Sequence, residues 1–404
     1  MVVTPAAVGP LCLPGGRYVV PGNRTDLMAG RWPGEPPSVS VVVPYYADQA
    51  RLDLVLAGLS QQTHPPERTE VVVADDGSPQ PPDLAALAPA IRRAVVRQDD
   101  LGFRAGAARN LGARAARGDV LCFLDGDTVP TPDYLRQLTR LPALLPDALV
   151  TGHRRHADLT EWRPERLVRW LTGDSGGPPE LPAPQWLADR HRRTDNLARL
   201  ERRSYEGVIS AVLAVAAALF AEVGGFDESF TSYGGEDWEF GFRALNAGAV
   251  LAHEPAAVAW HDGPDWGIRR GDDPAAARVE KAREDAALAR LIPGLAADGP
   301  PDVVVVEPGA VEPVGARSAR VRVTVHADDR WPDPATVQAL AERVGPGQLG
   351  RARVDGPGWS AEAVSTAAWA RAHRWAADLS SPDLLGELFD TEERTVALRA
   401  GSTT

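Results

Sequence analysis

Apolar and polar residues alternate along residues 38–128 in a pattern that predicts strands followed by helices. Short apolar runs at residues 39–43, 70–74, 94–96 and 120–124 have the length of strands in a buried sheet. Leucine and valine recur at helical spacing over residues 52–59, and residues 104–117 form an alanine-rich stretch that predicts a second helix. Strands and helices in this order form right-handed crossover units, so we expect an α/β domain with a mostly parallel sheet.

The remaining pattern divides the chain into three parts. Residues 1–37 are rich in proline and glycine and predict an irregular N-terminal arm. The main domain is predicted over residues 38–295, with halves at 38–128 and 129–295 and further helices at 185–205, 236–246 and 273–291. After two prolines at 300–301, strands at 303–306 and 319–325 and helices at 334–344 and 360–378 predict a small α/β domain over residues 302–404, whose role is open.

Composition narrows the class of protein. The 404 residues are 44% hydrophobic and 24% charged, which is typical of a globular chain. The net charge of -12 argues against nucleic-acid partners, because no basic surplus is present to neutralise phosphates. Two cysteines give no disulfide framework, and the longest apolar run, at 208–221, is too short for a transmembrane segment. We therefore expect a cytoplasmic protein, with an oligomer left open.

An acidic motif follows the last predicted strand of the first half. Asp125 and Asp127 flank Gly126 at the carboxyl end of this strand, where open α/β sheets bind ligands. An ordinary Asp-Gly turn has the same sequence, but two adjacent carboxylates repel each other unless a cation lies between them. Oxygen ligands of this kind suit Mg²⁺ or Mn²⁺ shared with substrate phosphates, so the motif predicts a divalent metal that holds a diphosphate.

Six motifs in a fixed order carry a resemblance to a known family. They are the run at 39–46, Asp75-Asp76-Gly77-Ser78, the run at 106–112, Asp125-Gly126-Asp127, the run at 223–227 and Gly234-Gly235-Glu236-Asp237. Together they resemble the family 2 glycosyltransferases of GT-A fold over residues 38–265. The resemblance implies a Rossmann-like, mostly parallel sheet and a metal-dependent, inverting glycosyltransferase of the hexosyltransferase type that uses a nucleotide-sugar.

The resemblance places the donor site in the first half of the main domain. The implied donor-binding residues are Pro44, Tyr45, Asp75, Asp76, Gly106, Arg109, Asn110, Asp125 and Asp127. A carboxylate can accept the N–H of uracil, which favours a UDP-sugar over a GDP-sugar; either Asp75 or Asp76 could do so, and we favour Asp76. Arg109 would bring positive charge toward the phosphates, although an exposed arginine on an ordinary amphipathic helix would have the same sequence.

The metal ligands implied by the resemblance are Asp127, His261 and Asp125. Asp125 would contact the ribose or sugar, or the metal through water. His261 directly follows a predicted strand at 256–260, and its imidazole suits Mn²⁺ better than Mg²⁺, so the expected cofactor is Mn²⁺ (or Mg²⁺). His253 is a weaker rival for this position, and a satisfied surface or core histidine is the alternative for His261.

The acceptor side is predicted at the start of the helix at 236–246. Glu236 and Asp237 lie in its first turn, where the helix dipole and free N–H groups would keep them ionised. The resemblance implies that Asp237 is the general base of a single displacement and that Glu236 binds or orients the acceptor; helix capping is the plainer alternative. Trp238 could stack on an acceptor sugar or could equally belong to the core.

The segment at 207–215 departs from the family pattern, because Ser210, a candidate acceptor-binding residue, is its only polar side chain. This leaves acceptor binding unexplained and raises the possibility of a lipid-linked or hydrophobic acceptor. The acceptor classes that stay open are a carbohydrate, a glycolipid or a small molecule.

Two other functions compete with transfer. A sugar-1-phosphate nucleotidyltransferase would need a glycine-rich segment with a basic residue near the first strand, where this chain has Pro44-Tyr45-Tyr46. A catalytically decayed transferase could act as a binding or scaffold protein, but the joint presence of Asp127, Asp237 and His261 favours an enzyme.

Overall fold

The computed structural model describes residues 1–232, 234–264, 274–296, 299, 301–308, 318–327 and 331–396. The strands are β1 (Val2–Thr4), β2 (Leu11–Leu13), β3 (Arg17–Val19), β4 (Val39–Tyr45), β5 (Thr69–Asp75), β6 (Arg92–Arg97), β7 (Val120–Leu124), β8 (Thr128–Pro130), β9 (Ala148–Ala157), β10 (Glu180–Leu181), β11 (Val212–Ala216), β12 (Val250–Asp262), β13 (Val303–Val306), β14 (Val321–Ala327), β15 (Arg351–Gly356), β16 (Trp359–Ser365) and β17 (Thr391–Thr395). The helices are α1 (Gln49–Leu59), α2 (Ala105–Ala115), α3 (Tyr134–Leu138), α4 (Arg140–Leu144), α5 (Pro164–Leu171), α6 (Gln185–Arg193), α7 (Ala217–Val223), α8 (Glu236–Asn246), α9 (Pro274–Leu291), α10 (Pro334–Ala341), α11 (Thr366–Leu379) and α12 (Leu384–Leu388).

The main sheet follows the order β6-β5-β4-β7-β11-β9-β12-β8, with β10 paired to β9. Strands β6, β5, β4 and β7 are parallel to one another, whereas β11 runs antiparallel to both β7 and β9. Strands β5 and β7 are buried along their whole length, which explains why they are apolar runs rather than alternating ones. The predicted α/β fold class with a parallel-rich sheet is confirmed.

Helix α1 shows how the sequence fixes one of the covering layers. The side chain of Asp48 caps its first turn by accepting a hydrogen bond from the Arg51 N–H at 3.2 Å. Leu52, Val55 and Leu56 are fully buried in the same core cluster as the side chains of β4 and β5. Helical spacing of apolar residues therefore covers the parallel strands, as the pattern predicted.

Two predicted helices differ from the structure. The helix expected at 185–205 ends at Arg193, because three successive residues at 195–197 adopt positive φ and turn the chain away. The first part of the helix expected at 360–378 is wrong: Trp359–Ser365 is strand β16, in which buried residues alternate toward its end. Helix α11 begins only at Thr366, where the Ser365 side chain accepts the Ala368 N–H at 3.4 Å.

A second sheet, in the order β1-β17-β15-β16-β14-β13, contains the strands after residue 302 together with β1. The segment 1–37, predicted to be irregular, therefore contains three short strands, one of which pairs antiparallel with β17. A buried ion pair joins the two parts of the chain: Arg371 Nε lies 2.7 Å from Asp147 Oδ2.

The domain boundaries stay predictions. Among the described residues, none of the helices combines the length and apolar character needed to cross a bilayer.

Candidate active site

A cavity of about 870 Å³ opens at the carboxyl ends of β4 and β7 and at the start of α8. This size is within the usual range of ligand pockets, about 300–1,000 Å³. Of the residues predicted from the sequence, those that line it are Pro44, Tyr45, Asp76, Arg109, Asp125, Asp127, Ser210, Glu236, Asp237 and Trp238. Asp75, Gly106, Asn110 and His261 do not line the cavity. The acidic motif and the predicted acceptor motif therefore share one cavity.

Arg109 joins these two motifs. From the buried face of α2, its Nη2 donates to Asp125 Oδ1 at 2.7 Å and its Nη1 donates to Glu236 Oε1 at 3.0 Å. Burial disfavours the charged guanidinium, but the carboxylates of Asp125 and Glu236 outweigh it and raise the Arg109 pKa above its ordinary value. Both terminal nitrogens of Arg109 are thus engaged with carboxylates in this structure, rather than pointing at solvent.

The pairing of β12 with β8 brings His261 beside the acidic motif. In this antiparallel pair His261 is opposite Thr128, and the Asp262 N–H donates to the Asp127 carbonyl at 2.9 Å. His261 Nε2 lies 3.4 Å from Asp127 Oδ2. His261 is therefore part of strand β12 itself and does not follow a shorter strand as predicted. His253, the rival candidate, instead pairs its Nδ1 with Asn196 Oδ1 at 2.8 Å.

The metal-ligating atoms at Asp127 and His261 fit a divalent ion whose coordination shell is completed by a bound substrate. One carboxylate oxygen and one imidazole nitrogen face each other, and oxygen with imidazole suits Mn²⁺. Throughout the part of the chain that the structure describes, no group of three or more His, Cys, Asp or Glu is arranged to hold a metal. An ion at Asp127 and His261 would therefore need further ligands such as diphosphate oxygens, which is how such ions are commonly held.

The two aspartates at the end of β5, Asp75 and Asp76, have different surroundings. Asp75 is fully buried, and its Oδ1 accepts the Ser78 N–H at 2.8 Å, so it shapes the turn. Asp76 lines the cavity, with Oδ1 accepting from Gln98 Nε2 at 2.6 Å and Oδ2 from the Arg104 N–H at 2.9 Å. Of this pair, only Asp76 reaches the cavity.

Gly106 and Asn110 contact the turn at 224–227 instead of the cavity. Asn110 Nδ2 donates to the Phe226 carbonyl at 2.8 Å, and its Oδ1 accepts the Phe226 N–H at 2.9 Å. A methyl group on Gly106 would lie 3.5 Å from both the Asp227 carbonyl and Phe226 Cβ. In this structure both residues hold α2 against that turn.

Asp237 lies in the first turn of α8, and its ionisation differs from the expectation. Burial and the neighbouring Glu236 charge raise the pKa of Asp237 to about 7, against the lowering effects of Arg109 and of backbone N–H groups at Ser210 and Trp238. The helix terminus was expected to keep this carboxylate fully ionised. Its Oδ1 accepts the Trp238 N–H at 2.9 Å, but this hydrogen bond does not offset burial in the cavity wall.

The apolar segment at 207–215 is explained by its position in the sheet. Strand β11 lies between β7 and β9 and is buried along its whole length, so its side chains belong to the core. Only Ile209, Ser210 and Ala211 from this region line the cavity. Its apolar character therefore gives no evidence for a hydrophobic acceptor.

Sequence reasoning missed several residues that line the cavity. Arg51 donates its Nε to Asp262 Oδ2 at 2.8 Å, and Trp186 packs edge-on against Trp238 with ring centroids 5.8 Å apart. Lys281 and Glu284, on α9, also line the cavity. One signal was available for Lys281, since it is the only lysine among 43 basic residues.

Comparisons with known proteins match the same part of the chain. Residues 40–207 match the model for glycosyl transferase family 2, and residues 196–257 match the model described as the N-terminal domain of galactosyltransferase. The chain is 35% identical over 221 residues to validoxylamine A glucosyltransferase of Streptomyces hygroscopicus subsp. limoneus, which covers 51% of this chain and 48% of that protein. It is 31% identical over 249 residues to hyaluronan synthase of Pasteurella multocida, which covers 56% of this chain and 24% of that protein.

Among solved structures, a mannosyltransferase from Pyrobaculum calidifontis in complex with GDP-Man and Mn²⁺ is similar at 19% identity and a TM-score of 0.44, covering 67% of each chain. A likeness at this level does not extend to the site. The curated relatives named above are longer, and the chain spans about half or less of their length.

The parallel-rich sheet with its acidic motif at the strand ends is a Rossmann-like GT-A fold. Over residues 40–207 the chain resembles glycosyltransferase family 2.

Proposed function

We propose that this chain transfers a sugar from a nucleotide-sugar donor, a UDP-sugar, to an acceptor hydroxyl by a single displacement with inversion. The observation that supports it is the shared cavity, in which Arg109 joins Asp125 of the acidic motif to Glu236, the neighbour of Asp237, while His261 lies against Asp127. A leaving-group site and a base in one cavity are what such a displacement needs.

The donor end would bind the nucleotide diphosphate. Asp127 and His261, with Asp125, would hold Mn²⁺ or Mg²⁺. Such an ion, when bound, supplies Lewis-acid stabilisation of the departing diphosphate. Asp76 is the carboxylate after β5 that reaches the cavity, and it is our candidate for contact with the nucleotide base.

The acceptor end would remove a proton. In the proposed step the acceptor oxygen forms a bond to the anomeric carbon while the bond from that carbon to the diphosphate breaks, and the hydroxyl proton moves to Asp237. A base with a pKa of about 7 is well matched to this task near neutral pH. Glu236, fixed by Arg109, would orient the acceptor beside it.

The test is nucleotide release from a panel of UDP-, GDP- and dTDP-sugars with Mn²⁺, Mg²⁺ or EDTA. Asp127→Ala and Asp237→Asn would be assayed beside Asp158→Asn, an exposed aspartate away from the cavity that serves as the matched control. Metal-dependent release that is lost in the first two variants and kept in the control is expected. An inverted anomeric centre in the product, read by NMR, would support single displacement. Absence of both binding and turnover with every donor would overturn the assignment and favour a decayed transferase that acts as a binding protein.

A further inference from the structure

Helix α9 presents one face to the cavity. Lys281, Glu284 and Leu288 are three and four residues apart, so they lie on the same side of the helix. Leu288 and Ile292 are buried in a cluster with the aromatic side chains of Tyr205, Phe230 and Phe242. This cluster anchors the end of the helix and fixes the direction in which Lys281 and Glu284 project.

Glu284 lies directly against the turn that leads into the proposed base. Methyl groups on Gly234 and Gly235 would lie 3.2 Å from Glu284 Cδ and 3.3 Å from Glu284 Cγ. Both glycines have positive φ, +93° and +94°, so side chains are disfavoured there for two reasons. The turn before Asp237 thus leaves room for a carboxylate from another helix.

Lys281 holds this carboxylate in place. Its Nζ lies 3.2 Å from Glu284 Oε2 and 3.0 Å from Asp285 Oδ1, and 5.0 Å from the centre of the Trp238 ring. Burial raises the pKa of Glu284, and the Lys281 charge works against this rise. A lysine in this position therefore favours an ionised Glu284 in the cavity wall.

The part of the cavity wall that contains Glu284, Lys281, Trp186 and Trp238 is suited to binding a polyol. A carboxylate accepts hydrogen bonds from hydroxyl groups, and Trp186 and Trp238, which also line the cavity, supply apolar surface beside it. An alkyl chain on the same wall would remove water from Glu284 and Lys281 without replacing its hydrogen bonds, which costs free energy.

We propose that Glu284 selects a polyhydroxylated ring, a sugar or a cyclitol, as the acceptor over a lipid alcohol. In this proposal Lys281 is the residue that positions the Glu284 carboxylate. This inference rests on the proposed function for the identity of the cavity. It does not depend on which donor sugar is transferred, because both residues lie on α9 beside the acceptor motif.

The test uses the full chain and a probe set of methyl glycosides, myo-inositol and 1-octanol. Saturation-transfer NMR without donor reads binding of each probe, and nucleotide release with the active donor gives kcat and KM. We expect Glu284→Gln to raise the KM of the preferred glycoside or cyclitol at least tenfold and to weaken its binding in the NMR experiment. Glu161→Gln, at an exposed glutamate that does not line the cavity, is the matched control and should behave as wild type.

Lys281 is tested by rescue. Lys281→Met should raise the acceptor KM with little change in donor KM, and Lys281→Arg should restore most of the loss, because the charge that holds Glu284 is retained. A merely structural role would change both KM values together and would not separate methionine from arginine.

Three results would overturn the inference: stronger binding of 1-octanol than of any ring probe, no ring probe bound by wild type, or unchanged ring binding in Glu284→Gln. Failure of the proposed function has a different signature. In that case no donor is turned over, while ring binding and its loss in Glu284→Gln are still seen by NMR.

Discussion

The pKa of Asp237 predicts a steep dependence of the reaction on pH. Burial and the Glu236 charge raise this pKa to about 7, so the base is half ionised at neutrality. For one titrating base, the ionised fraction falls to about a tenth at pH 6 and about a hundredth at pH 5. We therefore expect kcat/KM to fall tenfold per pH unit below 7 and to reach a plateau above about pH 8.

Two substitutions should move the acidic limb of the pH profile, the range in which kcat/KM falls, in opposite directions. Glu236→Gln removes the negative charge that raises the Asp237 pKa, so the limb should shift to lower pH. Arg109→Gln removes the positive charge that lowers it, so the limb should shift to higher pH. Both changes neutralise one charge by introducing glutamine, and the opposite signs separate electrostatics from general damage to the site.

The assay is kcat/KM for nucleotide release with acceptor between pH 5 and 9 at constant ionic strength, because kcat/KM reports groups on the free enzyme. The divalent ion is kept saturating at each pH so that the occupancy of the metal site does not vary. Asp158→Asn should retain the wild-type profile. A flat profile between pH 5 and 8, or shifts of the same sign in both variants, would refute the assignment of Asp237 as the titrating base.

Three further predictions concern stability and positioning. Arg371→Met leaves the buried Asp147 carboxylate with only the hydrogen bond from Trp375 and without its opposite charge, and should lower the free energy of unfolding by about 3–5 kcal/mol in urea, whereas Arg353→Met, at a more exposed ion pair, should cost less than about 1 kcal/mol; equal losses would contradict this. Burial lowers the pKa of His191 to about 4 from 6.5, so its contribution to stability is complete above pH 6.5 and is lost as the pH falls toward 4. It amounts to about 3 kcal/mol, and His191→Phe should remove that part of the pH dependence; an unchanged urea midpoint curve would contradict this. Asn110→Ala should cost about 1–3 kcal/mol by leaving backbone groups of the 224–227 turn unpaired, with the donor KM unchanged; a higher donor KM at unchanged stability would instead support the predicted donor role.

The parts of the fold that the sequence predicts are those in which local pattern and burial agree. Strands β4, β5 and β7 are apolar because they are covered on both sides, and the acidic motif marks the end of β7. Strand β16 was mistaken for helix because its small residues run directly into the alanine-rich helix α11, and only pairing with β14 and β15 reveals it.

The parts of the site that the sequence does not predict depend on contacts between distant segments. The contact of Glu284 with the Gly234-Gly235 turn exists only because α9 packs on the aromatic cluster. The pKa of Asp237 likewise depends on burial and on Arg109, which comes from α2. Neither the Glu284 contact nor the Asp237 pKa can be predicted from a local sequence pattern. The residue types at 125–127 and 236–237, in contrast, are sufficient to indicate the chemistry.

The double engagement of Arg109 makes the two ends of the cavity thermodynamically dependent on each other. A ligand that draws Asp125 away from Nη2 changes the charge that Glu236 experiences through Nη1. Such coupling is reciprocal in binding free energy, so whatever factor the donor imposes on acceptor affinity, the acceptor imposes on donor affinity. We therefore expect the affinities for the two ligands to depend on each other through Arg109.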